Sequence, residues 1–126
     1  MCGAPTSILL VDDDLDTQVI VAMIINHFKY SLTIASTAQD ALNQLSKSMP
    51  DIVMLDILLP DISGYAALGK IRDLSSEHPP KIIAITAYYT ADTAAKMLDY
   101  GFDGYLQKPI IAATLIPCLQ NQVSNN

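Results

Sequence analysis

The sequence predicts an α/β fold in which helices cover both faces of a parallel sheet. Three observations point there. Five short apolar runs recur along the chain, and several are continuous rather than alternating, as strands buried on both faces are. Longer segments with helical spacing fill the gaps. Run and helix alternate five times, the pattern of a doubly wound sheet.

The elements follow in order. Ile8–Val11 reads as the first strand, and Asp16 to Phe28 as the first helix, with Asp14 and Asp16 as helix-end residues and Asp16 the better cap. Leu32–Ala35 is the second strand. In the next helix Ala38, Ala41, Leu42 and Leu45 keep i, i+3, i+4, i+7 spacing, and Thr37 with Asp40 forms a capping pair. Ile52–Leu55 is the third strand, followed by a helix with Ala67, Leu68, Ile71 and Leu74 on one face. Ile82–Ile85 leads to a helix over Thr93 to Tyr100, closed by Gly101. Tyr105–Leu106 is the last strand and Ala112 to Val123 the last helix, where an internal Pro117 predicts a late start or a kink. Met1 to Ser7 and the final QNQVSNN read as loose ends.

The chain has 126 residues, which suits one domain (1–126, core about 7–120), and 51% of them are apolar, which argues against disorder. Thirteen acids against seven scattered bases give a net charge of −6, and no basic stripe is present. Direct DNA binding is therefore not expected, because a phosphate backbone rewards clustered Lys and Arg. Cys2 and Cys118 have no metal or redox spacing and read as free thiols. No apolar run approaches the roughly 20 residues of a membrane span. With no signal-peptide pattern, a cytoplasmic location is the expectation.

Chemistry concentrates where the strands end. Asp12 and Asp13 follow the first strand, Asp56 the third, Thr86 and Ala87 the fourth, and Gln107, Lys108 and Pro109 the fifth. In a parallel sheet these ends converge on one edge, where ligands of such folds bind. Three carboxylates in one pocket repel one another, and a hard divalent cation such as Mg²⁺ would relieve the repulsion. Lys108 and Thr86 could then hold the oxygens of a phosphoryl group, and attack by a carboxylate would give an aspartyl phosphate. A calcium loop beginning at Asp12 is excluded, because its sixth position is Thr17 and its twelfth is Met23. His27 and His78 are lone histidines and read as surface or packing residues.

The segments LLVDDD, DIVMLDILLPDISGYAAL, IIAITA and GFDGYLQKPI lie in register across about residues 7 to 120. Together they resemble a response-regulator receiver domain of the single-domain chemotaxis type, from two-component phosphorelay systems. The resemblance implies a flavodoxin-like sheet of order 2-1-3-4-5 with five helices. It implies Asp56 as phosphoacceptor, with Mg²⁺ held by Asp12, Asp13, Asp56 and the backbone carbonyl of Leu58. It implies Thr86 as switch hydroxyl, Tyr105 as switch aromatic, Ala87 as the small residue beside the phosphate, Lys108 as the conserved-type lysine, and a cis Lys108–Pro109 peptide. Pro60 and Gly64 match the loop after the phosphoacceptor, Gly64 for its backbone freedom.

The implied function is a phosphorylation switch. The phosphoryl donor is a histidine kinase or histidine phosphotransfer protein, and the output is a downstream protein target. The chain is expected to be no enzyme beyond self-phosphorylation and self-dephosphorylation. Alternatives are a receiver segment of a larger hybrid kinase or regulator, a haloacid-dehalogenase-type phosphatase, and a pseudo-receiver serving only as a binding module. The phosphatase motif fails here because Asp12-x-Asp14 is followed by Asp16 rather than Thr or Val. The complete set of site residues argues against the pseudo-receiver. Met1 and the polar ends favour a free-standing protein. Bulky Leu58 and Tyr88 predict a slowly hydrolysed phosphoryl group. Ile111 departs from the usual polar cap of the last helix. Val19 to Ile25 contains no polar residue, which predicts either a docking face including Val21 or Ile25, a deeper core, or a homodimer contact.

Overall fold

A computed structural model describes residues 6–28, 30–74, 77–87 and 91–124. Five strands, β1 (Thr6–Val11), β2 (Tyr30–Ala35), β3 (Ile52–Asp56), β4 (Lys81–Thr86) and β5 (Gly104–Gln107), form one sheet. They alternate with α1 (Leu15–Ile25), α2 (Ala38–Lys47), α3 (Gly64–Leu74), α4 (Ala91–Tyr100) and α5 (Ala112–Ser124). All strand pairs are parallel and the order is β2-β1-β3-β4-β5, as expected for a doubly wound sheet.

The continuous apolar runs are explained by burial on both faces. Leu9, Val11, Val53, Leu55, Ile82 and Ala84 face the core beneath α2, α3 and α4. Ile8, Leu10, Ile52, Met54, Ile83 and Ile85 alternate with them and face the core beneath α1 and α5. β2 is an edge strand, and it alternates accordingly: Tyr30, Leu32 and Ile34 pack inward while Ser31 and Thr33 are exposed.

Helix ends obey local chemistry. The Thr37 hydroxyl accepts the Asp40 N–H at 3.0 Å, capping α2 as predicted. Gly101 has φ 108°, the left-handed conformation that ends α4 without a Cβ penalty.

The structure corrects several sequence expectations. Asp14, not Asp16, is the N-cap of α1: its carboxylate accepts the Asp16 N–H at 3.1 Å and the Thr17 hydroxyl at 2.9 Å. Asp16 sits in the first turn. Val21 and Ile25 are no docking face, being 0% and 2% exposed in the core. The outer face of α1 is instead Leu15, Val19 and Met23, exposed by 72%, 57% and 64%. α5 begins at Ala112 and carries Pro117 within it, so it does not start late. Ile111, 51% exposed, precedes α5 as an apolar residue whose carbonyl accepts the Leu115 N–H at 2.9 Å.

Of the ends expected to be loose, residues 6–7 and 120–124 are ordered, while 1–5 and 125–126 lie outside the described residues. Ser7 belongs to β1, with its N–H and hydroxyl both donating to Asp51 Oδ2, at 2.9 and 3.2 Å. α5 continues to Ser124, and its buried Gln122 donates to the Asp103 carbonyl at 3.3 Å. Tyr88, Lys29 and Cys2 lie outside the described residues.

Candidate functional site

β1 and β3 are neighbours at the point where the strand order reverses, so Asp12 after β1 and Asp56 at the end of β3 lie side by side. β1 is central, and Asp12 is fully buried. Its N–H continues the ladder to the Ala35 carbonyl at 3.0 Å, and its Oδ1 accepts the Asp14 N–H at 2.9 Å. Asp13 is exposed at the mouth of the pocket. Carboxylate oxygens of Asp12, Asp13 and Asp56 all lie within 4.8 Å of one another.

Asp56 is buried, and both of its oxygens are engaged. Oδ1 accepts the Leu58 N–H at 2.9 Å, and Oδ2 accepts from Lys108 Nζ at 2.9 Å. The following loop returns close by, with Leu58 bridged to Ser63 and the Gly64 N–H donating to the Ile57 carbonyl at 2.7 Å. Gly64 is required for space rather than for backbone angles. A Cβ there would sit 2.5 Å from the Asp56 carbonyl oxygen and 2.6 Å from Ile57 Cα, and its φ is not positive. Pro60 and the Leu58 side chain are exposed.

Lys108 reaches across the pocket from the loop after β5. Its ammonium lies 2.9 Å from Asp56, 3.0 Å from Asp12 and 3.7 Å from Asp14. Its backbone N–H donates to the Thr86 carbonyl at 2.8 Å, which anchors Thr86 and Lys108 together. The Lys108–Pro109 peptide is cis, as expected. Thr86 is buried at the end of β4, with Ala87 exposed beside it. Tyr105 is half-buried on β5, packed against the core under α4 and lining an open groove of ≈ 510 Å³ with Pro109, Ile111 and Thr114.

Electrostatics mark this pocket as charged at a cost. Burial pushes the Asp12 carboxyl up to about 6; the Asp14 N–H and Lys108 oppose this, while the charge of Asp56 adds to it. Burial also works against the Lys108 ammonium, but its bonds to Asp56 and Asp12 more than offset that and hold its pKa above the ordinary lysine range. The Thr17 hydroxyl, the largest influence, holds Asp14 below the usual carboxylate range.

Asp12 Oδ2 is the one buried side-chain oxygen or nitrogen left without a hydrogen bond among the described residues. It stands 3.0 Å from Lys108 Nζ, within ion-pair range but in poor hydrogen-bond alignment. An unsatisfied buried oxygen among three carboxylates fits a hard divalent cation that takes oxygen ligands.

Sequence reasoning placed Asp12, Asp13, Asp56, Thr86 and Lys108 at one sheet edge, and the structure brings them there. It missed Gln18, whose Nε2 donates to the Asp12 carbonyl at 2.6 Å and to Ser36 Oγ at 3.2 Å. It also missed Asp61, whose carboxylate accepts the Ala38 and Gln39 N–H groups at 3.0 Å each. An Asp in a Pro- and Gly-bounded loop signals a turn or cap, but its partners lie more than 20 residues upstream, beyond any local pattern.

Comparison with known proteins agrees with this geometry. The chain is 32% identical over 117 residues to an uncharacterized 14.6 kDa protein of Leptolyngbya boryana, covering 93% of this chain and 89% of that one. It is 30% identical over 118 residues to the transcriptional regulatory protein TrcR of Mycobacterium tuberculosis, covering 94% of this chain but only 45% of the regulator. Among solved structures, a CheY-like response regulator receiver domain from Methanospirillum hungatei superposes with a TM-score of 0.85 at 27% identity, covering 97% and 96% of the two chains. A second, from Methylobacillus flagellatus, gives 0.81 at 28% identity, covering 94% and 99%. The model of the response regulator receiver domain matches residues 8–120, and with its strand order and acidic pocket the chain belongs to that family.

Proposed function

We propose that the chain is a phosphorylation switch that accepts a phosphoryl group on Asp56 from a phosphohistidine of a histidine kinase or phosphotransfer protein. The observation that carries this reading is the clustering of Asp12, Asp13 and Asp56 carboxylates within 4.8 Å, spanned by Lys108. Asp12, Asp13, Asp56 and the Leu58 backbone carbonyl would hold Mg²⁺. The ion supplies charge neutralisation that lets an anionic phosphoryl group approach an anionic nucleophile.

The residues of the chain do the rest. An Asp56 oxygen attacks phosphorus in line, forming the O–P bond as the P–N bond breaks. The bonding pair stays with the imidazole nitrogen, which takes up a proton from solvent and leaves as neutral imidazole. The Leu58 N–H orients the carboxylate at 2.9 Å before reaction. Lys108, already in the pocket, shifts its ion pair from the carboxylates to a phosphoryl oxygen, and the Thr86 hydroxyl donates to another. Tyr105 follows Thr86 and remodels the face formed by α4, β5 and α5 for a downstream protein target. Inverting a 99:1 equilibrium takes about 5.5 kcal/mol. Charge-assisted contacts of about 1.5–3 kcal/mol each supply that in two or three bonds. Beyond its own phosphorylation and hydrolysis the chain catalyses nothing further.

The apolar stripe Leu15, Val19 and Met23 starts beside the acidic pocket and continues along the exposed side of α1. A phosphodonor seated there would deliver its histidine toward Asp56. The test is transfer of labelled phosphate from a charged phosphotransfer protein. Label should reach the chain in Mg²⁺ and stop when the metal is chelated; transfer undiminished by chelation would overturn the reading.

A further inference from the structure

We propose that Asp61 is a positioning residue for the metal pocket, latching the loop after Asp56 to the N-terminus of α2. This rests on the metal-binding reading above and extends it to residues outside the pocket.

The geometry is specific. Asp61 sits at the turn of the loop closed by the Leu58–Ser63 bridge. Its Oδ1 accepts the Ala38 N–H and its Oδ2 the Gln39 N–H, both at 3.0 Å. These bonds hold its carboxyl below the usual carboxylate range, Ala38 contributing most, so it is ionised at neutral pH. Two charge-assisted bonds to a helix N-terminus fix both direction and distance.

Asp61 does not stand in for a missing cap. α2 has its own N-cap in Thr37, whose hydroxyl takes the Asp40 N–H. The Ala41 N–H is taken by the Thr37 carbonyl. Asp61 takes the two N–H groups left over and, in doing so, ties down the segment that carries Leu58.

The tie completes a run of contacts along one side of the acidic pocket. Gln18 joins the Asp12 carbonyl to Ser36, two residues before Ala38. Asp61 joins Ala38 and Gln39 to the loop, and the Leu58 N–H returns to Asp56. The β1, α2 and β3 sides of the pocket are thereby linked, with Gln18 and Asp61 acting from outside it. Partners that bond a metal ligand directly typically change metal affinity by about 10–100-fold when removed, and Asp61, one step further out, belongs at the low end of that range.

The experiment is calorimetric titration of Mg²⁺ into wild type, Asp61→Ala, Asp61→Asn and Thr37→Ala, with folding checked by circular dichroism and thermal melting. Asp61→Ala should weaken Mg²⁺ binding about 10-fold. Asp61→Asn loses the same charge but keeps one acceptor, so it should bind more tightly than Asp61→Ala. Thr37→Ala should melt lower with its Mg²⁺ affinity within about 2-fold of wild type, because it weakens α2 without touching the latch.

Equal affinity of wild type and folded Asp61→Ala would overturn the proposal. So would equal weakening by Asn and Ala, which would indicate a charge effect alone, or equal weakening by Thr37→Ala, which would indicate helix stability alone. If Asp61→Ala does not fold, Asp61→Asn is compared with Thr37→Ala at low and high salt: Mg²⁺ binding weaker than that of Thr37→Ala at both supports the latch, and equal binding, or a loss that disappears in high salt, overturns it. No Mg²⁺ binding by wild type would instead sink the metal reading on which the proposal stands.

Discussion

Replacing Asp12 with Asn should stabilise the metal-free protein while removing its capacity for Mg²⁺. The Asp12 carboxyl is fully buried, and burial raises its pKa from 3.8 to about 6 in the folded state. A raised carboxyl binds its proton more tightly folded than unfolded. Between those two values the unfolded chain has lost the proton and the folded chain keeps it, so stability falls as pH rises through the window. The difference is about 2 pKa units at about 1.4 kcal/mol each, a loss of at most about 3 kcal/mol by pH 7. Asn is neutral at every pH and escapes it.

Urea unfolding of both proteins in chelator, at pH 4, 5, 6 and 7, reads this directly. The stability of Asp12→Asn relative to wild type should rise by about 2–3 kcal/mol from pH 4 to pH 7, with the slope centred between 4 and 6. Adding Mg²⁺ at 100 times its dissociation constant should then return about 2.7 kcal/mol to wild type and nothing to the variant. A difference between the two proteins that does not change with pH would refute the reasoning, because burial of Asp12 would then carry no electrostatic cost.

Three further outcomes follow from particular contacts. Gly64→Ala would set a Cβ against backbone atoms of Asp56 and Ile57, which cannot swing aside, and should cost about 3 kcal/mol in urea unfolding; an unchanged midpoint would contradict the close approach. Val19→Asn with Met23→Gln should slow phosphotransfer from a phosphotransfer protein at least ~10-fold while acetyl phosphate labels at the wild-type rate, since exposed sites change stability by only about 0.5 kcal/mol. A parallel fall in both rates would remove α1 as the docking face. Leu58→Asn should shorten the lifetime of the phosphorylated protein several-fold in a label-decay time course. A lifetime equal to wild type would show that the exposed Leu58 side chain gives no shielding from water.

Much of the fold was legible because it rests on local pattern. Runs such as Ile52–Leu55 and Ile82–Ile85 are apolar at every position because successive residues face two different cores. The site was legible for a related reason. A parallel sheet collects the residues after its strands on one edge, so Asp12, Asp56, Thr86 and Lys108 converge without any neighbouring motif. The orientation of α1 was not legible. Its inward positions are Thr17, Val21 and Ile25, and the polar Thr17 conceals the buried stripe because its hydroxyl is satisfied by Asp14. Within the stretches read as loose, Ser7 and Gln122 are held by long-range bonds, Ser7 to Asp51 and Gln122 to Asp103. Asp61 escaped for the same reason, and Gln18 because its nearer partner is a backbone carbonyl, which no residue type announces. Asp61 bonds residues 22 and 23 positions away, and no spacing rule reaches that far.

The central claim is that Asp56 receives the phosphoryl group in a pocket that depends on a divalent cation. Intact-protein mass after incubation with acetyl phosphate and Mg²⁺ tests it most directly, comparing wild type, wild type in chelator and Asp56→Asn. One added phosphoryl mass on wild type with Mg²⁺, and none on the other two, is the predicted result. Equal modification of Asp56→Asn, or none on wild type, would contradict it.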